Sequence, residues 1–158
     1  MILLNGEINS DSYKDVVTQL LDLKKSTVDL WVTSGGGDLE LTFGIHDLLK
    51  SRTEKITTRA LGMCQSAAPL LVACGDDRAS APNCIWMLHS VSLDPGDVTV
   101  DGMRNELEWA DQAVEAYASL LNRYTKKNKQ FWKRKLTGPN VYFDAATARD
   151  WGLVDRIL

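Results

Sequence analysis

Short β-like runs alternate with amphipathic helical stretches over the first two thirds of the chain, and this order constrains the fold more than any other feature. The runs are residues 2–4, 28–33 and 56–61, and apolar residues recur every three or four positions in the stretches between them. Strands separated by such helices are typical of α/β proteins, whose helices pack on a mostly parallel sheet. The sequence therefore predicts an α/β fold, and a length of 158 residues predicts a single domain.

Local signals set the expected boundaries of these elements. Asn9 or Ser10 is predicted to cap the first helix, and the second helix is expected over residues 38–50. A turn at Gly62 is expected to lead into a small apolar helix that begins near Ser66. The remaining predicted elements are two short strands, a loop, a long helix, a capped helix and a final strand, over residues 78–81, 84–88, 90–98, 100–127, 143–146 and 153–157.

Charge and hydropathy exclude several functional classes. The 18 Lys and Arg residues against 21 Asp and Glu give a formal charge of -3, so the chain lacks the basic field that holds nucleic acid. The longest apolar run, residues 67–74, is far shorter than the roughly 18–20 residues that cross a bilayer. The start of the chain has neither the basic region nor the long apolar region of a secretion signal. We therefore expect a cytoplasmic protein that binds neither nucleic acid nor membrane.

The three cysteines give the same expectation. Cys64, Cys74 and Cys84 form no CxxC pair and would leave one cysteine unpaired in any disulfide scheme. This usage suits a reducing compartment. We expect all three side chains to be buried.

Residues 100–127 carry the longest helical pattern of the sequence. Apolar residues at steps of three and four form one seam from Met103 to Tyr124, and Trp109 begins a second stripe displaced around the helix. A helix of about 25 residues is about 38 Å long, which is more than one face of a small domain usually covers. The two stripes favour burial against another subunit, and a helix half-buried in its own domain is the alternative.

Only two histidines are available for acid–base chemistry, His46 and His89. His46 lies beside Asp47 in an amphipathic helix, where a surface or helix-packing role is expected. His89 ends an apolar strand and opens onto a loop, a position where scaffolds commonly present functional side chains. A purely structural role for His89 is the alternative.

Ser66 is the candidate nucleophile, because it follows a predicted strand and precedes the small residues Ala67 and Ala68. Free backbone N–H groups at a helix start can stabilise a developing oxyanion, and a simple helix cap is the alternative. The glycines at 35–37 also follow a strand and offer exposed amides, although they match neither the Rossmann nor the P-loop spacing. No His, Cys, Asp or Glu cluster has the spacing of metal ligands, so neither a metal nor a cofactor is predicted.

Four segments, taken together and in order, resemble the proteolytic subunits of the Clp protease, the ClpP family. The resemblance extends over essentially the whole chain. It implies a ClpP/crotonase-like spiral of strand–helix repeats with a long handle helix, and one peptidase domain over residues 1–158. The segments are 35–37 (GGG), 62–68 (GMCQSAA), 82–89 (PNCIWMLH) and 151–155 (WGLVD).

The resemblance assigns roles by position. Ser66 is similar to the family nucleophile and His89 to its general base, while Gly37 and Ala67 would donate their amides to an oxyanion hole. Asn140 stands where the family usually has an aspartate. An asparagine can accept the N–H of the imidazole, but it cannot stabilise the imidazolium as a carboxylate does.

The resemblance implies a serine-type endopeptidase that hydrolyses peptides or unfolded proteins through a Ser-His-Asn triad inside a ring assembly. Its partners would be copies of itself in heptameric rings stacked as a tetradecamer, and a Clp ATPase or a second ClpP subunit. Asn140 is expected to weaken the activity. The match starts at the first core strand of the family, so the helix and axial pore loop that precede it are expected to be absent and ATPase docking impaired.

Two other functions remain open from the sequence. The chain is alternatively a weakly active or inactive structural or modulating subunit that associates with a full ClpP ring. A crotonase-type acyl-CoA enzyme shares the strand–helix spiral and the two-amide oxyanion hole. The matching positions of Ser66 and His89 argue against this last function, as does the short chain.

Overall fold

The computed structural model describes residues 1–23, 26–93, 96 and 99–158, so the predicted loop over residues 90–98 lies partly outside the described residues. Seven strands and six helices are assigned over the described residues. In chain order they are β1 (Ile2–Ile8), α1 (Ser10–Leu21), β2 (Thr27–Gly37), α2 (Leu39–Lys50), β3 (Lys55–Gln65), α3 (Ala68–Ala73), β4 (Asp77–Ser80), β5 (Ile85–Leu88), α4 (Val100–Tyr124), α5 (Lys129–Leu136), β6 (Val141–Phe143), α6 (Ala145–Trp151) and β7 (Arg156–Ile157).

The strands form one mostly parallel sheet, which confirms the predicted α/β fold. The main path runs β1-β2-β3-β4-β7 with parallel neighbours, and β5 pairs with β3 off this path. Only the β5–β6 pair is antiparallel among the described strands. Along β2, fully buried residues alternate with partly exposed ones, because successive side chains of a strand point to opposite faces. The hydrophobic core therefore lies on one face of the central strands, where the helices cover it.

The turn predicted at Gly62 is wrong, because β3 continues through it to Gln65. Gly62 has φ +59°, a conformation that costs glycine little and that bends a strand. Before the bend β3 pairs with β4, and after it Met63 pairs with Ile85 of β5. The bend thus moves the end of β3 from one neighbouring strand to another.

The glycine run is likewise part of a strand rather than a loop that follows one. Gly36 and Gly37 have φ +96° and +142°, and they pair with Glu7 and Ile8 at the end of β1. Glycine adopts such positive φ angles at little cost. The two glycines therefore extend β2 beyond Thr33 and Ser34, where other residue types would be strained.

The helix starts follow side-chain capping. Asn9 caps α1 in a reciprocal capping box with Ser12, and Asp38 accepts the Leu41 N–H at the start of α2. Ser66 does not cap α3, whose N-cap is Ala67 without a side-chain hydrogen bond. The alternative that Ser66 is a simple helix cap is therefore wrong.

The long helix α4 ends at Tyr124, slightly earlier than predicted, and its two halves differ in burial. The second half packs into the core of its own domain through Ala113, Val114, Tyr117, Ala118 and Leu121. The first half exposes Val100, Met103 and Leu107, which are 71%, 48% and 55% exposed. The seam predicted to face another subunit is thus covered by its own domain along its second half and open along its first.

The C-terminal segment is held against the sheet by Arg78. Its guanidinium donates to the carbonyl oxygens of Tyr124 (2.6 Å) and Gly152 (2.9 Å) and pairs with the Asp155 carboxylate at 2.6 Å. This pairing lowers the pKa of the Asp155 carboxyl. The strand predicted over residues 153–157 is reduced to Arg156–Ile157, because the Leu153 N–H donates to the Ala148 carbonyl oxygen at the end of α6 rather than to a neighbouring strand.

The three cysteines are buried and free, as predicted. Among the described residues, no helix is both long and apolar enough to cross a membrane.

Candidate active site

Ser66 occupies the sharp turn between β3 and α3 in a strained conformation. Its φ is +58°, and among the described residues it is the only non-glycine residue with a positive φ. Its amide donates to the Met87 carbonyl oxygen at 2.9 Å. Strained strand-to-helix turns are used in hydrolases to present a nucleophilic serine, and such strain persists only where the surroundings hold it.

The structure brings Ser66 and His89 together. Ser66 Oγ lies 2.7 Å from His89 Nε2, which is within the range of a hydrogen bond between a nucleophile and its base. The pairing of Gln65 with Met87 sets this distance, because it aligns the ends of β3 and β5. The bend at Gly62 is therefore the local reason that these two side chains meet.

Gly36 forms the backbone surface against which Ser66 packs. A Cβ atom at Gly36 would overlap Ser66 Cβ and lie 2.8 Å from the Gln65 carbonyl oxygen. Its φ of +96° also disfavours any other residue. Glycine is thus required at position 36 so that Ser66 can pack closely against the backbone of β2. The run of three glycines was the sequence feature that pointed to this contact.

We expect Gly36→Ala to destabilise the protein by about 2 kcal/mol or more, since overpacking and a positive φ both add cost. For a chain of this size that is a fall in Tm of several degrees, measured by thermal unfolding. Gly35→Ala is the matched control, because its Cβ would meet only Met63 Sδ at 4.0 Å and its φ is not positive. An equal Tm for the two variants would contradict the tight contact between Gly36 and Ser66.

Tyr117 is a site residue that the sequence pattern did not reveal as such. Its hydroxyl donates to the carbonyl oxygen of Ser66 at 2.8 Å, and it lies 3.4 Å from that of Ala67. Tyr117 is 2% exposed, and burial raises the pKa of its phenol well above the ordinary value. The phenol therefore stays neutral and remains a hydrogen-bond donor at neutral pH.

Ser66 and His89 open onto a cleft of about 570 Å³, a size usual for ligand sites. Gly37 and Ala67 line the same cleft. On its far side Trp109 Nε1 donates to Glu40 Oε1 at 2.9 Å, which joins α4 to the start of α2. The four residues predicted for the nucleophile, the base and the oxyanion hole thus share one cleft.

Asn140 lies close to His89 in the fold but does not bond to it. The antiparallel ladder ends at the pair Leu88–Val141, and His89 and Asn140 are the residues directly next to that pair. Asn140 is exposed, and no hydrogen bond joins its side chain to the imidazole, whose Nε2 bonds to Ser66. The β5–β6 pairing therefore brings the Asn140 backbone near His89, without a hydrogen bond between the two side chains.

The other titratable candidates have structural roles. Asp144 accepts the Thr147 N–H at 2.8 Å and caps α6. His46 is buried rather than on the surface, and its Nε2 lies 2.8 Å from the Tyr124 hydroxyl. This contact packs α2 against α4, so the predicted helix-packing role of His46 is confirmed and the surface role is wrong.

In the part of the chain that the structure describes, no group of three His, Cys, Asp or Glu side chains is placed to hold a metal ion.

The fold and the cleft together define an α/β protein of the ClpP type, with a serine at a strand-to-helix turn and a histidine beside it. The Clp protease family model matches residues 1–158, and the chain belongs to the Clp protease family.

Named relatives match along nearly the full chain. The ATP-dependent Clp protease proteolytic subunit 2 of Mycobacterium leprae is 29% identical over 168 residues, which cover 100% of this chain and 77% of the relative. Subunit 3 of Nocardia farcinica is 28% identical over 167 residues, 99% of this chain and 74% of the relative. Subunit 1 of Rhodococcus jostii is 28% identical over 168 residues, which cover 100% of this chain and 74% of the relative.

Proposed function

We propose that this chain is a serine-type endopeptidase subunit that hydrolyses peptides or unfolded proteins. The observation that carries the proposal is the 2.7 Å contact between Ser66 Oγ and His89 Nε2 at the mouth of a cleft, in a chain of the Clp protease family. Its relatives are named as proteolytic subunits.

In the proposed reaction His89 Nε2 takes the proton of Ser66 Oγ as the oxygen attacks the carbonyl carbon of the substrate. The resulting tetrahedral intermediate collapses when the C–N bond breaks and His89 gives the proton to the leaving amine. The acyl group then remains on Ser66 as an ester. A water molecule, deprotonated by His89, hydrolyses this ester and regenerates the serine.

The backbone amides of Gly37 and Ala67 are the proposed oxyanion donors. Both residues line the cleft beside Ser66. Backbone donors need no particular side chain, so Ala67 serves this role as well as a larger residue would. Fixed donors of this kind supply a large part of the stabilisation of a tetrahedral intermediate.

Asn140 is the proposed orienter of His89. Its position near His89, beside the last pair of the β5–β6 ladder, supports this role, which requires its side chain to turn toward the imidazole. An amide oxygen that accepts the Nδ1–H fixes the tautomer but leaves the imidazolium without a neutralising charge. A Ser-His-Asn triad of this kind would therefore be slower than one with a carboxylate.

Fluorophosphonate labelling tests the proposed function directly. We expect the wild-type protein to react at Ser66, as located by mass spectrometry of the labelled peptide, and to cleave a fluorogenic peptide.

The absence of a hydrogen bond between the side chains of Asn140 and His89 favours a second candidate function, a structural or modulating subunit of a full ClpP ring. An unlabelled protein that co-elutes with such a ring and changes its peptidase rate would support that second function instead.

We further propose that the chain assembles into heptameric rings stacked as a tetradecamer, with a Clp ATPase or a second ClpP subunit as partner. The exposed apolar residues Val100, Met103 and Leu107 on the first half of α4 support self-association. They recur at steps of three and four and so form one stripe. A stripe of this kind is suited to contact a copy of the same helix.

A charge in this stripe is expected to break the assembly. In Leu107→Asp the carboxylate would lie in an apolar interface, where burying an unpaired charge is costly. Sedimentation velocity is expected to show a wild-type particle much larger than one 17.6 kDa chain and a smaller particle for the variant. Asn105→Asp is the control, since it adds the same charge on the opposite face of α4. A variant particle of wild-type size would count against assembly through this stripe.

A further inference from the structure

The peptide group between Ser66 and Ala67 has a contact that neither the proton transfer nor the proposed oxyanion donors account for. Tyr117 reaches it from α4, and its hydroxyl donates to the Ser66 carbonyl oxygen at 2.8 Å. The contact is internal to the domain, because Tyr117 is 2% exposed. No hydrogen bond joins the hydroxyl to Ser66 Oγ or to His89, so any effect on the reaction passes through the backbone.

A peptide group is planar and trans, so its carbonyl and its N–H point in opposite directions. The carbonyl that Tyr117 holds belongs to Ser66, and the N–H of the same group belongs to Ala67. Fixing the carbonyl on the core side therefore fixes the direction of the Ala67 amide. That amide is one of the two proposed oxyanion donors.

The neighbouring peptide group is held as well. The Ser66 amide, which belongs to the Gln65–Ser66 peptide group, donates to the Met87 carbonyl oxygen at 2.9 Å. The two peptide groups on either side of the Ser66 Cα are thus each tied by one hydrogen bond, and Ser66 itself has φ +58°. A left-handed conformation of a non-glycine residue is unfavourable by itself and needs such ties to persist.

We propose that Tyr117 is a positioning residue, whose hydroxyl sets the plane of the Ser66–Ala67 peptide group and so aims the Ala67 amide at the oxyanion. This inference rests on the proposed peptidase function. It assigns Tyr117 a role in the stability of the transition state rather than in substrate binding. It also explains why a tyrosine, rather than a purely apolar residue, occupies a buried position on α4.

Tyr117→Phe is the direct test, and Tyr124→Phe is its matched control. Both tyrosines lie on α4, and both hydroxyls make a hydrogen bond, but that of Tyr124 goes to His46, outside the cleft. We expect Tyr117→Phe to lower kcat for a fluorogenic peptide by about 10- to 100-fold, because a misdirected Ala67 amide would stabilise the oxyanion less well. KM is expected to stay unchanged, and Tyr124→Phe is expected to keep the wild-type kcat.

A peptide boronic acid separates this role from a general loss of structure. Its adduct with Ser66 places an oxygen where the oxyanion forms, so its inhibition constant is expected to rise in Tyr117→Phe. The same peptide with hydrogen in place of the boronic acid group has no oxygen to place in the oxyanion hole and is expected to bind both proteins equally. Equal weakening of both ligands would indicate a merely structural effect and overturn the proposal.

Crystal structures of the wild type and the two variants test the inference without any reaction. We expect the Ser66–Ala67 peptide plane to rotate in Tyr117→Phe and to stay in place in Tyr124→Phe. An unchanged plane in Tyr117→Phe, or a wild-type kcat, overturns the proposal. A wild type without peptidase activity would refute the proposed function, and the peptide plane would then decide the role of Tyr117 by itself.

Discussion

Ser66→Ala is expected to abolish hydrolysis of a fluorogenic peptide and labelling by a fluorophosphonate. The variant lacks the oxygen that attacks the substrate carbonyl, and His89 loses the partner that lies 2.7 Å from its Nε2. Loss of the serine in a hydrolase triad costs about 10⁶-fold in kcat. The rate of the variant is therefore expected to fall to the background of the assay, while the fold persists because alanine is smaller than serine.

Ser51→Ala is the matched control for this experiment. Ser51 caps the far end of α2, and its hydroxyl donates to the Leu48 carbonyl oxygen, away from the cleft. This variant is expected to keep both labelling and turnover. Unchanged turnover in Ser66→Ala would remove Ser66 as the nucleophile and with it the proposed function.

Asn140→Asp is expected to raise kcat by as much as about 10⁴-fold, the factor by which the reverse change slows a complete triad. Asn140 and His89 lie directly next to the last pair of the β5–β6 ladder, Val141 and Leu88. A carboxylate turned toward His89 from this position would accept the Nδ1–H and stabilise the imidazolium. The measurement is kcat for a fluorogenic peptide under saturating substrate.

Asn128→Asp is a suitable control for the added charge. Asn128 caps α5 by accepting the Phe131 N–H at 2.9 Å, and an aspartate caps a helix equally well. This variant is expected to keep the wild-type rate. An Asn140→Asp protein no faster than the Asn128→Asp protein would exclude residue 140 from the triad and favour the structural or modulating subunit.

Local sequence patterns predicted most of the helices and strands because each has its own signal. The periodicity of α2 and the polar cap of α1 are properties of a few neighbouring residues, and both elements lie where they were expected. The glycine positions were less predictable. Gly62 was assigned to a turn and the run at 35–37 to the residues that follow a strand, but their freedom in φ serves to extend and bend strands that neighbouring strands hold in place.

Tyr117 shows a second limit of sequence reasoning. Its spacing on α4 identifies an apolar seam, but periodicity alone does not say whether a seam faces its own domain or another subunit. The antiparallel strand β6 was missed for a related reason, since its three residues form a strand only through pairing with β5. Ser66 and His89 were identified as candidates from their positions at element ends, whereas their contact depends on the change of partner strand at Gly62, which only the pairing of β3 with β4 and β5 reveals.

The partner change along β3 leaves His89 at the end of a small branch of the sheet formed by β5 and β6. Beyond Gly62, β5 meets β3 over only three residue pairs, and its other neighbour is the three-residue strand β6. Regions with few ladder bonds open locally at lower free energy than the central strands. Ser66 follows the central strand β3, and its amide donates to the Met87 carbonyl oxygen of this branch, so the distance to His89 depends on how β5 is held. Opening of the branch is therefore expected to separate Ser66 Oγ from His89 Nε2 while β1, β2 and β4 stay folded.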